Sequence, residues 1–305
     1  MAHETRVFVV DARAAAELER RLRDELPAHA EWRPAPHARF QVKAEGFVAT
    51  CYTSGKLVVQ GSDLDAFENR FLHAGTKRST GAKDRPDDID LPLDRPTIGS
   101  DEAGKGDYFG PLVVAAVFVT PAQTAELGKL GVRDSKTLTD DRARLLAGRI
   151  EELCDAEAIA LQPTDYNAAW EKVRNVNVLL GSLHARAIKA LTLRHADAAR
   201  IVVDKFGDDA YVGKALRKEE VPALEVIQVP RAERNLAVAA ASIVARAAFL
   251  DGLAACSDAC GTDLHKGAGE PTESPARRVV QIGGRDLLGK VAKLHFKNTM
   301  RIPGL

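Results

Sequence analysis

Residues 112–119 read LVVAAVFV, eight positions without a polar side chain. Side chains alternate across a strand, so a half-exposed strand shows a polar residue at every second place. An unbroken apolar run bounded by Gly110-Pro111 and Thr120-Pro121 therefore reads as a buried strand. Just before it stands IGSDEAGKGDYFGP (98–111), in which Asp101 and Glu102 adjoin at the strand's mouth. Two neighbouring carboxylates repel. Burying one unpaired costs several kcal/mol, about the size of a protein's stability margin. Either the pair is a solvated turn or something positive balances it.

The rest of the chain falls around this strand. Residues 75–96, GTKRSTGAKDRPDDIDLPLDRP, are rich in Gly, Pro and charge and read as a linker. They separate a small unit, 1–74, from a larger one, 97–305. In the small unit RVFVV (6–10), ARFQVKA, FVATCYT and KLVVQG are strand-like, with turn signals at Glu45-Gly46 and Ser54-Gly55. An amphipathic helix is predicted over 11–26 with Asp11 as its N-cap, and a second over 62–72 starting at Ser62. In the large unit, helices are predicted over 139–154 (capped by Thr139), 175–195 and 233–254. They alternate with strands at 110–119, 199–206 and 223–229. That order predicts an α/β fold with a mixed sheet.

Asp204 ends the apolar run IVV, as Asp101-Glu102 adjoins its own. Ligand sites in open α/β sheets gather at strand ends. Neighbours 101 and 102 on a regular strand face opposite sides, so a shared site requires the backbone to turn, for which Gly104 and Gly106 give the means. Converging carboxylates select hard cations, Mg²⁺ or Mn²⁺. Two such ions clamp the attacking and leaving oxygens of a phosphodiester. A phosphate-binding P-loop is excluded, because no GxxxxGK[ST] string occurs.

SDEAGKGDYFGPLVVAAV, DSKTL (134–138), IVVDKFG (201–207), AVAAASIVARAAFL (237–250) and KLHFKNT (293–299) together resemble ribonuclease HIII, a type 2 ribonuclease H. The resemblance runs over about 97–300. It implies a ribonuclease H-like mixed sheet flanked by helices, preceded by a small α+β TBP-like substrate-binding domain. It also implies Mg²⁺- or Mn²⁺-dependent cleavage of RNA in RNA–DNA hybrids, leaving 5′-phosphate and 3′-hydroxyl ends. Asp101, Glu102 and Asp204 match the family's first three acids. Asp208 takes the fourth place, four residues after the third, with Asp209 and Asp251 as alternatives. Gly104, Lys105 and Gly106 resemble the motif that contacts the hybrid, where backbone groups approach the ribose 2′-hydroxyl that distinguishes RNA. Ser135 and Lys136 of DSKTL, and Lys293, His295 and Lys297 of KLHFKNT, are expected substrate contacts. Arg39, Lys43, Tyr52 and Lys56 lie on or beside the small unit's strands. Arg39 and Lys43 are expected on one face, where a duplex backbone would sit.

Lys+Arg and Asp+Glu are equal at 43 each, so net charge does not announce a polyanion partner. Local patches decide that, and residues 264–305 hold eight Lys/Arg against three acids. The four cysteines form no CxxC pair and are expected to be reduced. No membrane span or leader pattern is evident, so a cytoplasmic protein is expected; the sequence carries no sign of oligomeric state, and a monomer is the expected form. Two competing readings are incision at single embedded ribonucleotides, as in ribonuclease HII, and hybrid binding without catalysis.

Overall fold

The computed structural model describes residues 4–35, 38–72, 76, 78–79, 91–132 and 138–302. The chain forms two compact units, Met1–Asp88 and Ile89–Leu305.

The first unit is an antiparallel sheet in the order β2-β3-β4-β5-β1-β6. Its strands are β1 (Glu4–Val9), β2 (Glu31–Arg33), β3 (Ala38–Ala44), β4 (Phe47–Tyr52), β5 (Lys56–Gly61) and β6 (Arg78–Ser79). Helices α1 (Ala12–Glu25) and α2 (Leu64–Phe71) cover one face. Asp11 caps α1 by accepting from the Ala14 amide, but α2 begins one residue later than Ser62 implies and carries no side-chain cap. Leu18 and Leu22 of α1 and Phe67 and Phe71 of α2 pack on Phe40, Val42, Leu57 and Val59. Lys43, Tyr52 and Lys56 alternate to the other face, next to the buried Val42, Cys51 and Leu57. Arg39 departs from expectation. The β3–β4 register jumps from Ala38↔Tyr52 to Phe40↔Cys51, leaving Arg39 as an unpaired bulge residue. Its guanidinium turns to Glu19 of α1 at 2.9 Å, so Arg39 and Lys43 do not share a face.

The second unit holds a mixed sheet, β11-β10-β7-β8-β9. Its strands are β7 (Thr97–Ala103), β8 (Leu112–Val119), β9 (Asp155–Leu161), β10 (Arg200–Asp204) and β11 (Glu225–Val229). β7, β10 and β11 run parallel, whereas β8 and β9 are antiparallel to their neighbours. The apolar run of β8 is buried throughout because helices cover both faces. Val113, Ala115, Val117 and Val119 enter a core with α4 (Asp140–Leu153), α8 (Leu236–Cys260) and α9 (Glu273–Val291). Leu112, Val114, Ala116 and Phe118 enter another with α5 (Pro163–Val173), α6 (Val176–Arg194) and α7 (Ala210–Lys218). A short α3 (Thr124–Leu130) follows β8, and α10 (Lys297–Met300) ends the described chain.

α8 has the length and hydropathy of a bilayer span, yet most of it is buried inside this unit. Gly99 of β7 lets the two backbones pack together, since an added Cβ there would stand 2.1 Å from the Ala237 carbonyl carbon. The stretch 75–96 is not uniformly a linker. Arg78–Ser79 pairs with β1, and Leu91 joins a core with Val202, Val229 and Val238. The Asn235 amide donates to the Leu91 carbonyl at 3.0 Å. All four cysteines are free and buried.

Candidate active site

β7 pairs with β8 as far as Ala103 but with β10 only as far as Ser100. Past Ser100 the edge of β7 that faced β10 has no ladder partner. Asp101 and Glu102 occupy that bare edge while still paired to Ala115 and Val114. The expected backbone turn is therefore absent between them. They face opposite sides of the sheet, and the missing strand neighbour lets both line one cavity. This cavity measures about 500 Å³, and Gly104, Lys105, Gly106 and Asp204 also line it.

The electrostatics leave this site short of positive charge. Burial, Glu102 and Asp204 together raise the Asp101 carboxyl to about 8, against the opposing hydrogen bonds from the Ser242 hydroxyl and the Glu102 amide. The Glu102 amide donates to Asp101 Oδ1 at 2.7 Å. Glu102 Oε1 lies 3.6 Å from Lys105 Nζ, while its buried Oε2 has no hydrogen-bond partner. Asp204 Oδ1 accepts from the Ala232 amide at 2.9 Å, which orients the third carboxylate. Carboxylates held together against their own repulsion, one with a bare buried oxygen, fit a hard divalent cation. Among the described residues no three His, Cys, Asp or Glu side chains stand close enough together to hold a metal ion by themselves.

The glycine loop is built for close approach. Gly104 has φ +84°, and a Cβ there would lie 2.3 Å from the Pro111 carbonyl oxygen. Lys105 Nζ donates to the Phe206 carbonyl at 3.1 Å, which places the ammonium over the cavity wall. The C-terminal motif serves this loop from beneath. Lys293 is fully buried, and its Nζ donates to the carbonyls of Asp107 (2.8 Å) and Gly110 (2.7 Å). Burial lowers its ammonium to about 8. Lys293 therefore does not meet phosphate as expected; the sealed loop carbonyls consume its donors. His295 stacks on Trp170 at 3.8 Å beside a separate cavity with Arg174 and Arg285, and Lys297 is exposed at the start of α10. Ser135 and Lys136 lie outside the described residues.

The fourth acid does not stand with the other three. The Asp208 carboxylate accepts from the Ala210 amide at 2.8 Å and lines another cavity with Tyr211 and Lys214. Asp209 pairs with Lys205 at 2.8 Å, and Asp251 turns away to Arg144 at 2.7 Å. Glu233, which the sequence reading passed over, lines the acidic cavity instead. So do Ser242, Arg246 and Lys266. Arg246 and Lys266 share the Asp140 carboxylate at 2.7 and 2.6 Å, forming a cationic rim. The ASIVAR string that carries Ser242 and Arg246 was the available signal for two of these.

Comparison with known proteins places the chain among named relatives. The family model for ribonuclease HII matches residues 98–299, and a domain of unknown function, DUF3378, matches 7–84. Ribonuclease HIII of Protochlamydia amoebophila is 39% identical over 88% of this chain and 87% of its own length. That of Streptococcus agalactiae is 35% identical over 96% and 97%. The crystal structure of Bst-RNase HIII in complex with Mn²⁺ superposes with a TM-score of 0.65 at 32% identity, covering 97% of both chains. On the match of motifs, fold and nearly full-length relatives, the chain belongs to the ribonuclease HIII family of type 2 ribonucleases H.

Proposed function

We propose that the acidic cavity at the end of β7 hydrolyses the RNA strand of RNA–DNA hybrids with Mg²⁺ or Mn²⁺, leaving 5′-phosphate and 3′-hydroxyl ends. Metal dependence and endoribonuclease activity are those of the family. The observation that carries the assignment to this cavity is the raised Asp101 carboxyl beside the bare Glu102 oxygen. Bound cations would supply an acidified water and stabilise the leaving 3′-oxygen. Asp101, Glu102 and Asp204 would hold them. Glu233 and Asp107 are further carboxylates lining the same cavity, and Asp208 is the acid expected in the family's fourth position.

The remaining steps belong to the chain's own groups. Gly104 and Gly106 let backbone groups reach the ribose edge, where the 2′-hydroxyl reports RNA. Lys105, Arg246 and Lys266 line the same cavity and would meet the phosphates that flank the scissile bond, and phosphate contacts set register. In the first unit Lys43, Tyr52 and Lys56 form the duplex-facing side, and the working form is a monomer.

The test is cleavage of a labelled RNA–DNA hybrid with Mg²⁺ or Mn²⁺, compared with a duplex carrying one ribonucleotide. Hybrid cleavage that Asp101→Asn abolishes supports the assignment. Preference for the single ribonucleotide would favour incision of the ribonuclease HII type. Binding without cleavage would make the chain a hybrid-binding module.

A further inference from the structure

Asp107 lines the acidic cavity, yet its own bonding leads to another loop. Its Oδ1 accepts from the Gly267 amide at 2.6 Å, across 160 residues of sequence. The Gly267 carbonyl in turn accepts from the Tyr108 amide at 2.8 Å. This reciprocal pair joins the glycine loop to the segment 264–268, which follows α8. Gly267 stands at φ +87°, a conformation that glycine adopts without strain. The segment is tied at two further points. The Leu264 amide donates to Ser257 Oγ at 3.1 Å, and the Asn298 side-chain amide donates to the Ala268 carbonyl at 3.0 Å. On the glycine-loop side, Lys293 Nζ holds the Asp107 carbonyl at 2.8 Å. The tie through Asp107 is the one next to Lys266.

Lys266 lines the same cavity from that segment. Its ammonium lies 2.6 Å from Asp140, which also takes Arg246 at 2.7 Å. A phosphate entering the cavity competes with Asp140 for that ammonium. A lysine side chain is a point charge on a flexible stem, so the fixed position of its backbone decides what the charge can reach. An amide donating to an ionised carboxylate makes one of the stronger hydrogen bonds. We propose that Asp107 is a positioning residue: its carboxylate latches Gly267 to the glycine loop and so holds Lys266 at the cavity rim, where it meets a phosphate of the hybrid. Asp107 is then a cavity carboxylate that holds a loop and not a cation. The inference rests on the reading of this cavity as the hybrid site.

The experiment follows hybrid affinity against salt in the full chain, as Kd in EDTA and as KM in Mn²⁺-dependent cleavage. Asp107→Ala and Asp107→Asn remove the same charge, and only asparagine keeps an oxygen for the Gly267 amide, so their difference isolates the latch. The alanine protein is expected to have a salt slope smaller than the asparagine protein's by roughly 0.7–0.9, one phosphate contact. Between about 1 M and about 0.1 M salt this opens a roughly five- to eightfold gap in affinity. Lys266→Gln should take the same amount from the asparagine protein and nothing further from the alanine protein. In the wild type the Gly267 amide should exchange slowly with deuterium. If Asp107→Ala does not fold, that exchange and the asparagine slope decide the matter: slow exchange with a slope no smaller than the wild type's supports the latch, and a smaller slope overturns it. Fast exchange at Gly267, equal slopes in the two Asp107 variants, or an equal effect of Lys266→Gln in both would overturn this inference only. So would Mn²⁺ affinity that falls about tenfold or more in both variants in calorimetric titration, which would make Asp107 a cation ligand. Wild-type protein that neither binds nor cleaves hybrid would overturn the reading of the cavity and this inference with it.

Discussion

The most direct consequence of the crowded carboxylates is that the cation-free protein is strained by its own active site. Asp101→Asn should therefore stabilise the cation-free fold while abolishing cleavage. The carboxyl sits at about 8 in the folded protein against 3.8 for an unperturbed aspartate. Folding holds this proton more tightly than the unfolded chain does. Its contribution to stability is complete below the unfolded value and is lost as pH rises through the folded one. Between about pH 5.5 and about pH 8.5 the folded state gives up that advantage over roughly two and a half pH units, at ~1.4 kcal/mol each. The wild type should lose about 3 kcal/mol across this window that the asparagine variant keeps.

Urea unfolding in EDTA at the two pH values measures this. A Trp32→Phe background leaves Trp170, of α5, as the sole tryptophan, so fluorescence excited at tryptophan's red edge reports the second unit. Groups away from the cavity titrate alike in both proteins, so the difference between the two pH slopes reports Asp101 together with the carboxylates coupled to it. Parallel slopes would refute the reasoning. Adding Mn²⁺ should reverse the order, stabilising the wild type more than the variant, and more strongly as pH rises toward 8.

Replacing Lys293 by alanine strands the carbonyls of Asp107 and Gly110 and should destabilise the second unit by about 3–5 kcal/mol in urea titrations. If Lys293→Ala instead folds normally and weakens hybrid binding with a shallower salt dependence, the lysine meets phosphate after all. Gly104→Ala forces a side chain into positive φ against the Pro111 carbonyl, with an expected cost of roughly 2–4 kcal/mol and loss of cleavage; a crystal structure or melting curve like the wild type's would contradict this. Lys43→Gln and Lys56→Gln should each reduce the salt slope of hybrid binding by roughly 0.7–0.9, and Arg39→Gln should leave it unchanged because Glu19 holds that guanidinium. Comparing Glu233→Gln with Asp208→Asn in Mn²⁺-dependent cleavage tests the fourth acid. A larger loss for Glu233→Gln follows from its place on the cavity wall, and a larger loss for Asp208→Asn would show that the 205–210 segment refolds onto the cation.

What the sequence made visible and what it hid divide along physical lines. The β8 run, the Asp11 and Thr139 caps and the strand-end positions of Asp101 and Asp204 are local, set by alternation and by hydrogen bonds within a few residues. What stayed hidden depends on where separate elements stop. Asp101 and Glu102 share a cavity because β10 leaves β7 at Ser100, and no periodicity in either strand announces that length difference. A β-bulge at Arg39 likewise turns a residue through a face that simple alternation assigned to Lys43. Lys293 illustrates the same limit in charge. A basic residue in a basic stretch reads as a phosphate contact, and only the fold shows that its ammonium closes off the carbonyls of a loop far away in the chain. That loop is the one carrying Gly104 and Lys105, so Lys293 supports the shape of the glycine loop from inside the fold.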